Sequence, residues 1–329
     1  MNKTCDAKLQ MHLLEIEITT KCNLNCRHCY NRGYQDMDMP LNTIIDLLKF
    51  AEEYNVNTLV ISGGEACIHP EFKELCKYLK NNRPNVEKIV IQSNGYIKNI
   101  DFELLKAFDT IHLSFELDGS DVRKFSGYDV VNTAKKLKDY GIYSYLFSTI
   151  HAKNIDSIDT LTKIANDAMI DIGFNICCDT GKNKDLLLTQ EQKMLVSKKF
   201  LDLHSQGKIL KFSHPFTSII ANRSSDEFIG IRGGCSAGIA ACDVLPNGDV
   251  IPCPFFRTVA GNIYNNSLKD IWLNSDFLRV LRGRKYLKGN CHNCKHLSFC
   301  GGCRKVAFEQ TGDLLGSDPS CFKNLYENS

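Results

Sequence analysis

The sequence predicts an α/β chain, a partial (β/α)6 TIM-like barrel followed by a small C-terminal cysteine-rich domain. Six short apolar runs alternate with helix-period segments through residues 13–178, a polar or glycine-rich loop follows the end of most of these runs, and the 16 cysteines are concentrated toward the two ends of the chain. Short apolar strands separated by helices build a parallel sheet with right-handed crossovers, buried on both faces. Such a sheet, curling toward a barrel, collects function at the C-terminal ends of its strands.

The elements follow in order. LLEIEIT at residues 13–19 reads as the first strand, and after a cysteine-bearing loop LNTIIDLLKFAEEY repeats its apolar residues with helical period. TLVIS (58–62) is the second strand and is followed by a helix over about 71–79; KIVIQS (88–93) is the third, followed by a helix over about 101–108. TIHLSFE (110–116) is the fourth strand. The helical segment VVNTAKKLKDYG stops at Gly141, where glycine commonly ends a helix. YSYLFSTI (143–150) is the fifth strand, a helix covers about 155–168, and DIGFNICC (171–178) is the sixth strand. From about residue 190 the pattern becomes one long helix and then irregular sequence. The expected organisation is therefore a barrel over 1–189, a bridging segment over 190–234 and a cysteine-rich domain over 235–329.

Composition limits the partners. The chain has 329 residues, more than one ordinary core organises, and 43% of them are hydrophobic. Net charge is +2 with the signs interspersed, so no nucleic-acid face is expected. No apolar run approaches the roughly 20 residues that span a bilayer, and MNKTCDAKLQ lacks the layout of a signal peptide. The reading is a cytoplasmic protein. Thiols stay reduced in that compartment, so the cysteines point to metal rather than to disulfides.

Cys22-Asn23-Leu24-Asn25-Cys26-Arg27-His28-Cys29 places three thiols on one loop after the first strand. A cubane four-iron cluster normally takes four thiolates, so three leave one iron with an open position. His28 could be a fourth ligand, although imidazole ligation is the less common choice. Gly63-Gly64-Glu65 ends the second strand, Ser93-Asn94-Gly95 the third and Asp118-Gly119 the fourth. Near the C-terminus Gly248-x4-Cys253 precedes Cys291-x2-Cys294-x5-Cys300-x2-Cys303 and Cys321. Taken alone, those C-x2-C pairs also suit tetrahedral zinc. Cys5, Cys67 and Cys76 fall outside these sets and read as small buried hydrophobes.

The spacing C-x3-C-x2-C resembles the radical S-adenosylmethionine (SAM) superfamily. That resemblance implies a [4Fe–4S] cluster held by Cys22, Cys26 and Cys29, whose open iron chelates SAM and whose electron splits it to a 5'-deoxyadenosyl radical. It also implies that Gly63, Gly64 and Glu65 hold the SAM ammonium and that Ser93, Asn94 and Gly95 contact its ribose or carboxylate. Ser114 and Asp118 stand for the S-x-D-G element, and Tyr30 for the aromatic near the adenine. His28 stands where relatives often have an aromatic residue. The C-terminal cysteines resemble a SPASM domain, an iron–sulfur module implying two auxiliary [4Fe–4S] clusters. Cys235, Cys242, Cys253 and Cys303 would hold the nearer one, and Cys291, Cys294, Cys300 and Cys321 the outer. The C-G-G-C spacing departs from the three intervening residues usual there.

The function implied is hydrogen abstraction from a peptide or protein in ribosomal peptide maturation, giving a crosslink, thioether or epimer. A donor such as flavodoxin or ferredoxin would supply the electron, and a separate protein or the bridging segment would recognise a leader. Side-chain oxidation of sulfatase-maturase type and small-molecule or tetrapyrrole modification share the same clusters. A non-enzymatic zinc or iron–sulfur scaffold or electron carrier is the reading from another class. Cys177 and Cys178 close the sixth strand on opposite faces, so one thiol should face the barrel as a hydrogen donor.

Overall fold

In the computed structural model the described residues are 9–31, 33–96, 100–117, 127–213, 234–297 and 300–323. All six apolar runs are parallel strands: β1 (Leu13–Thr19), β2 (Thr58–Gly63), β3 (Lys88–Ser93), β4 (Thr110–Ser114), β5 (Ser144–Ile150) and β6 (Asp171–Ile176). Each pairs with the next in chain order. Helices α1 (Leu41–Glu53), α2 (Phe72–Asn81), α3 (Phe102–Leu105), α4 (Gly127–Asp139) and α5 (Ile158–Asp167) make the crossovers. Helix α1 buries Ile44, Leu47, Leu48 and Ala51, a single stripe at helical spacing. That stripe joins Leu14, Ile16 and Ile18 of β1 in the main core.

The pleat sends the intervening residues into the barrel. Glu15 and Glu17 lie opposite Val60 and Ser62. Gln92 lies opposite His112, Ser114 opposite Phe147, and Thr149 opposite Asn175. This lumen-facing set is largely polar, which is why function sits there and not on the apolar helix side.

Two features exceed the expected six strands. Helix α6 (Gln190–Ser205), opened by a Thr189/Gln192 capping box, leads to a short β7 (Lys211–Ser213) parallel to β6. In the cysteine-rich region β8 (Ala241–Val244) pairs parallel with β1, and β9 (Asp249–Ile251) and β10 (Gly261–Asn262) continue antiparallel. One ten-stranded sheet results, ordered β10-β9-β8-β1-β2-β3-β4-β5-β6-β7. Strands of two to four residues are too short to register as a period. Helix α3 is also shorter than the segment 101–108 expected from sequence. Its end tightens into Ala107 and Phe108 amides bonding three residues back, to Leu104 and Leu105.

Helices α7 (Leu268–Asn274) and α8 (Asp276–Arg282) close the C-terminal side of the sheet. Trp272 of α7 is fully buried, donates its indole N–H to the Leu9 carbonyl at 2.7 Å, and lies under the Arg282 guanidinium at 4.3 Å. The same guanidinium bonds the carbonyls of Gly238 and Trp272. Trp272→Ala is therefore expected to cost about 3–5 kcal/mol, read as a clear fall in the apparent melting temperature; an unchanged midpoint would contradict this anchoring role. Among the described residues no helix is long and apolar enough to cross a membrane.

Candidate functional site

The loop after β1 carries Cys22, Cys26 and Cys29 to one mouth of the barrel. Cys26 packs against Cys29 and Leu24, and the Cys22 and Cys29 thiols lie within each other's field. N–H groups aim at the sulfurs: Leu24 N–H at Cys22 Sγ (3.4 Å), Asn31 N–H at Cys29 Sγ (3.3 Å), and the Asn94 amide at Cys22 Sγ (3.8 Å). Such donors stabilise thiolate charge and suit cluster ligands. Burial pushes Cys22 above its ordinary value, so a bound cation must supply the positive charge that ionises it. The donor set therefore fits an iron–sulfur cluster.

The glycine pair has a steric role. A Cβ at Gly63 would lie 2.3 Å from the Thr19 carbonyl oxygen, and one at Gly64 would lie 2.1 Å from that of Lys21. The Gly64 and Glu65 amides donate to those same two carbonyls at 2.7 and 2.8 Å. The β2 loop thus clamps the chain directly before Cys22. Glu65, expected to meet SAM, is buried and accepts the Asn94 N–H at 2.7 Å and the Cys67 N–H at 3.2 Å. Burial raises its carboxyl, and these amides pull it back. Asn94 in turn donates to Asn23 Oδ1 at 2.7 Å, so Glu65 positions the cluster loop through Asn94.

A cavity of about 330 Å³ opens beside the loop. It is lined by the cluster cysteines, Tyr30, Gly63, Gly64, Ser93, Asn94, Ser114, Cys177 and Cys178. Glu65 and Gly95 are not among its lining residues; Gly95 turns at φ 76° beside Val130. Asp118 lies outside the described residues, as does Cys5. Tyr30 meets Phe255 edge-on at 5.2 Å under the Arg257 guanidinium. His28 turns toward Glu116, Nε2 to Oε1 3.4 Å. Polar atoms of His28, Glu116 and His151 lie within 4.8 Å of one another. Burial, then Lys153 and Arg27, drives His151 down to about 4, so its ring is neutral at pH 7.

The C-terminal cysteines fall into two groups. Cys291, Cys294, Cys300 and Cys321 line one cavity of about 580 Å³, and the Gly302 N–H points at Cys300 Sγ at 3.2 Å. The C-G-G-C departure is absorbed by Gly301 and Gly302, both left-handed at φ 80° and 65°, a conformation that favours glycine. This set fits a four-iron cluster. Cys235, Cys253 and Cys303 form the second group, Cys253 lying in the field of the other two. The structure does not bring Cys242 to them. Its position in β8 opposite Leu14 turns it into the hydrophobic core, fully buried, with Sγ 3.8 Å from Met11 Sδ.

Residues 16–168 match the Radical SAM superfamily and residues 235–295 the SPASM iron–sulfur cluster-binding domain. The chain is a radical SAM enzyme with a SPASM domain. The AdoMet-dependent heme synthase of Methanosarcina barkeri is 27% identical over 94% of this chain and 95% of its own length. The mycofactocin maturase MftC of Mycobacterium tuberculosis is 27% identical over 94% of this chain and 83% of its own. SuiB of Streptococcus suis bound to S-adenosylmethionine superposes with a TM-score of 0.78 at 20% identity, covering 94% of this chain and 77% of that one. That likeness shows the shared fold. Both domains imply iron–sulfur clusters, and the first implies SAM binding.

This radical SAM enzyme also carries a charge cluster absent from the sequence reading. Glu15, Glu17 and Asp243 are all buried around Arg257, which meets Glu17 Oε1 at 3.0 Å; Ser62 donates to Glu15 at 2.6 Å. One guanidinium cannot neutralise three carboxylates, and burial pushes Glu17 up to about 7 despite Arg257. A signal existed: two acids alternate with apolar residues in a strand covered on both faces. The raised value fixes a sign. Between about pH 4.5 and 7 the folded chain holds a proton that the unfolded chain releases, so stability falls as pH rises, by at most about 1.4 kcal/mol per unit. Glu17→Gln should flatten that slope in denaturation midpoints followed by circular dichroism; a slope parallel to the wild type would refute the assignment.

Proposed function

We infer that the enzyme abstracts hydrogen from a peptide or protein segment held in the barrel mouth. The cluster loop, Pro254 and Phe255 all line that cavity. Cys22, Cys26 and Cys29 would hold a [4Fe–4S] cluster, which would supply the one electron needed for reductive cleavage of SAM. The chain's own residues do the rest. Gly63 and Gly64 let backbone approach the ligand, Asn94 and Leu24 N–H groups hold the Cys22 sulfur, and Phe147 and Phe255 keep water from the reacting face.

The observation carrying a peptide substrate is the chemistry of the wall. Gln92, Ser114, Thr149 and Asn175 offer uncharged donors and acceptors suited to amides, and among the described lining residues there is no lysine or arginine. A tetrapyrrole with carboxylate arms would call for cations. Tetrapyrrole modification remains the second reading because the Methanosarcina heme synthase aligns along nearly its whole length. Cys177 is the hydrogen donor of the thiol pair. It packs against Cys26, its sulfur accepts from Asn183 at 3.3 Å, and burial pushes it up to about 12, so the S–H bond stays intact. Flavodoxin or ferredoxin delivers the electron, and a separate protein presents the leader.

Incubation with SAM and dithionite should yield 5'-deoxyadenosine, and mass spectrometry of a co-expressed precursor peptide should show a mass change. Release of 5'-deoxyadenosine with tetrapyrrole turnover and no peptide change would favour the second reading.

A further inference from the structure

We propose that Cys178, in the loop after β6, is the fourth thiolate of the nearer auxiliary cluster, in the place expected for Cys242. The inference rests on the reading that the C-terminal cysteines hold iron–sulfur clusters. A closed cubane takes four thiolates, and Cys235, Cys253 and Cys303 supply three. Cys242 is held away by strand register, and among the described residues the charged groups that act on it are Asp243 and Arg282.

Cys178 has the opposite surroundings. The strand stops at Ile176, short of the expected Cys178, so alternation does not separate the two thiols: Cys177 packs in the small cluster of Cys26, and Cys178 Sγ lies 3.8 Å from the Ile176 carbonyl oxygen. There it lies in the field of Cys235, and Cys303 lies in the field of both Cys235 and Cys178. Cys178 lines the same cavity as Pro254 and Phe255, the residues that follow Cys253. The loop after β6 is also tied to the third ligand. Buried Lys305 donates to the Asp179 carbonyl at 2.5 Å from helix α9 (Arg304–Thr311), whose N-cap is Cys303. Ligation would release the Cys178 proton and form one iron–sulfur bond. The auxiliary cluster would then be held in part by a residue of the barrel, next in sequence to Cys177.

The test uses the full chain, reconstituted anaerobically, as wild type, Cys178→Ala, Cys178→Ser and Cys242→Ala. Iron content, the electron paramagnetic resonance of the dithionite-reduced protein and its reduction midpoints are recorded. The wild type should hold about twelve iron, and Cys242→Ala should match it. Cys178→Ala should lose up to about four iron or one set of signals while keeping the SAM-induced change at the N-terminal cluster. Cys178→Ser should keep its iron with a shifted midpoint for that one cluster, a signature of oxygen ligation. Wild-type iron, spectra and midpoints in both Cys178 variants, or cluster loss in Cys242→Ala alone, would overturn the proposal. About four iron plus zinc in the wild type would instead overturn the auxiliary-cluster reading, and the proposal with it.

Discussion

Cys26→Ala is expected to abolish SAM cleavage, with 5'-deoxyadenosine formation falling at least about 1,000-fold, or ~4 kcal/mol of barrier. Cys26 is the buried member of the trio and shares one small packed cluster with Cys29, Cys177 and Leu24. Two thiolates cannot hold a cubane with a defined open corner, and the remaining donors on the loop do not replace a sulfur. His28 is the nearest alternative ligand by sequence, but its ring meets Glu116 inside the barrel. The variant should lose the signal that responds to SAM and keep the iron of the C-terminal cysteines. Retained SAM cleavage would mean that the cluster sits elsewhere.

Gly64→Ala is expected to lower turnover by about 100-fold, the scale of a displacement near 1 Å in a preorganised site. Its new Cβ would start 2.1 Å from the Lys21 carbonyl oxygen and 2.6 Å from that of Thr20. The Lys21 oxygen cannot yield freely, since the Glu65 amide bonds it and the Gly64 amide bonds the Thr19 carbonyl two residues before it. The strand end must therefore move away from the cluster loop. Because Cys22 follows Lys21 directly, iron should remain while the spectral response to SAM weakens and its apparent KM rises. Wild-type kinetics in the Gly64→Ala enzyme would show that the clamp has no part in placing the cofactor.

Strand and helix periods were legible where runs were long. The apolar run at 13–19 becomes β1, and 41–54 becomes α1 within one residue. The cysteine loop was legible because three thiols within eight residues have few other uses. Cys242 was not, because its direction depends on a pairing partner more than two hundred residues away. Opposite Leu14 it shares the core face, whereas Asp243, opposite Glu15, shares the barrel face. Glu65 was legible as a carboxylate after a glycine pair, but its partners were not: only the folded chain reveals that the Asn94 and Cys67 amides bond one oxygen each. The juxtaposition of His28, Glu116 and His151 joins three loops and leaves no local trace.

The proposed chemistry depends on an iron corner that Cys22, Cys26 and Cys29 would leave open to SAM at the C-terminal end of β1. Electron paramagnetic resonance of the reconstituted, dithionite-reduced enzyme before and after addition of SAM is the sharpest check. One cluster should change its signal, the change should disappear in Cys26→Ala, and 5'-deoxyadenosine should form in the same tube. An identical spectrum with and without SAM, and no 5'-deoxyadenosine, would rule the open corner out.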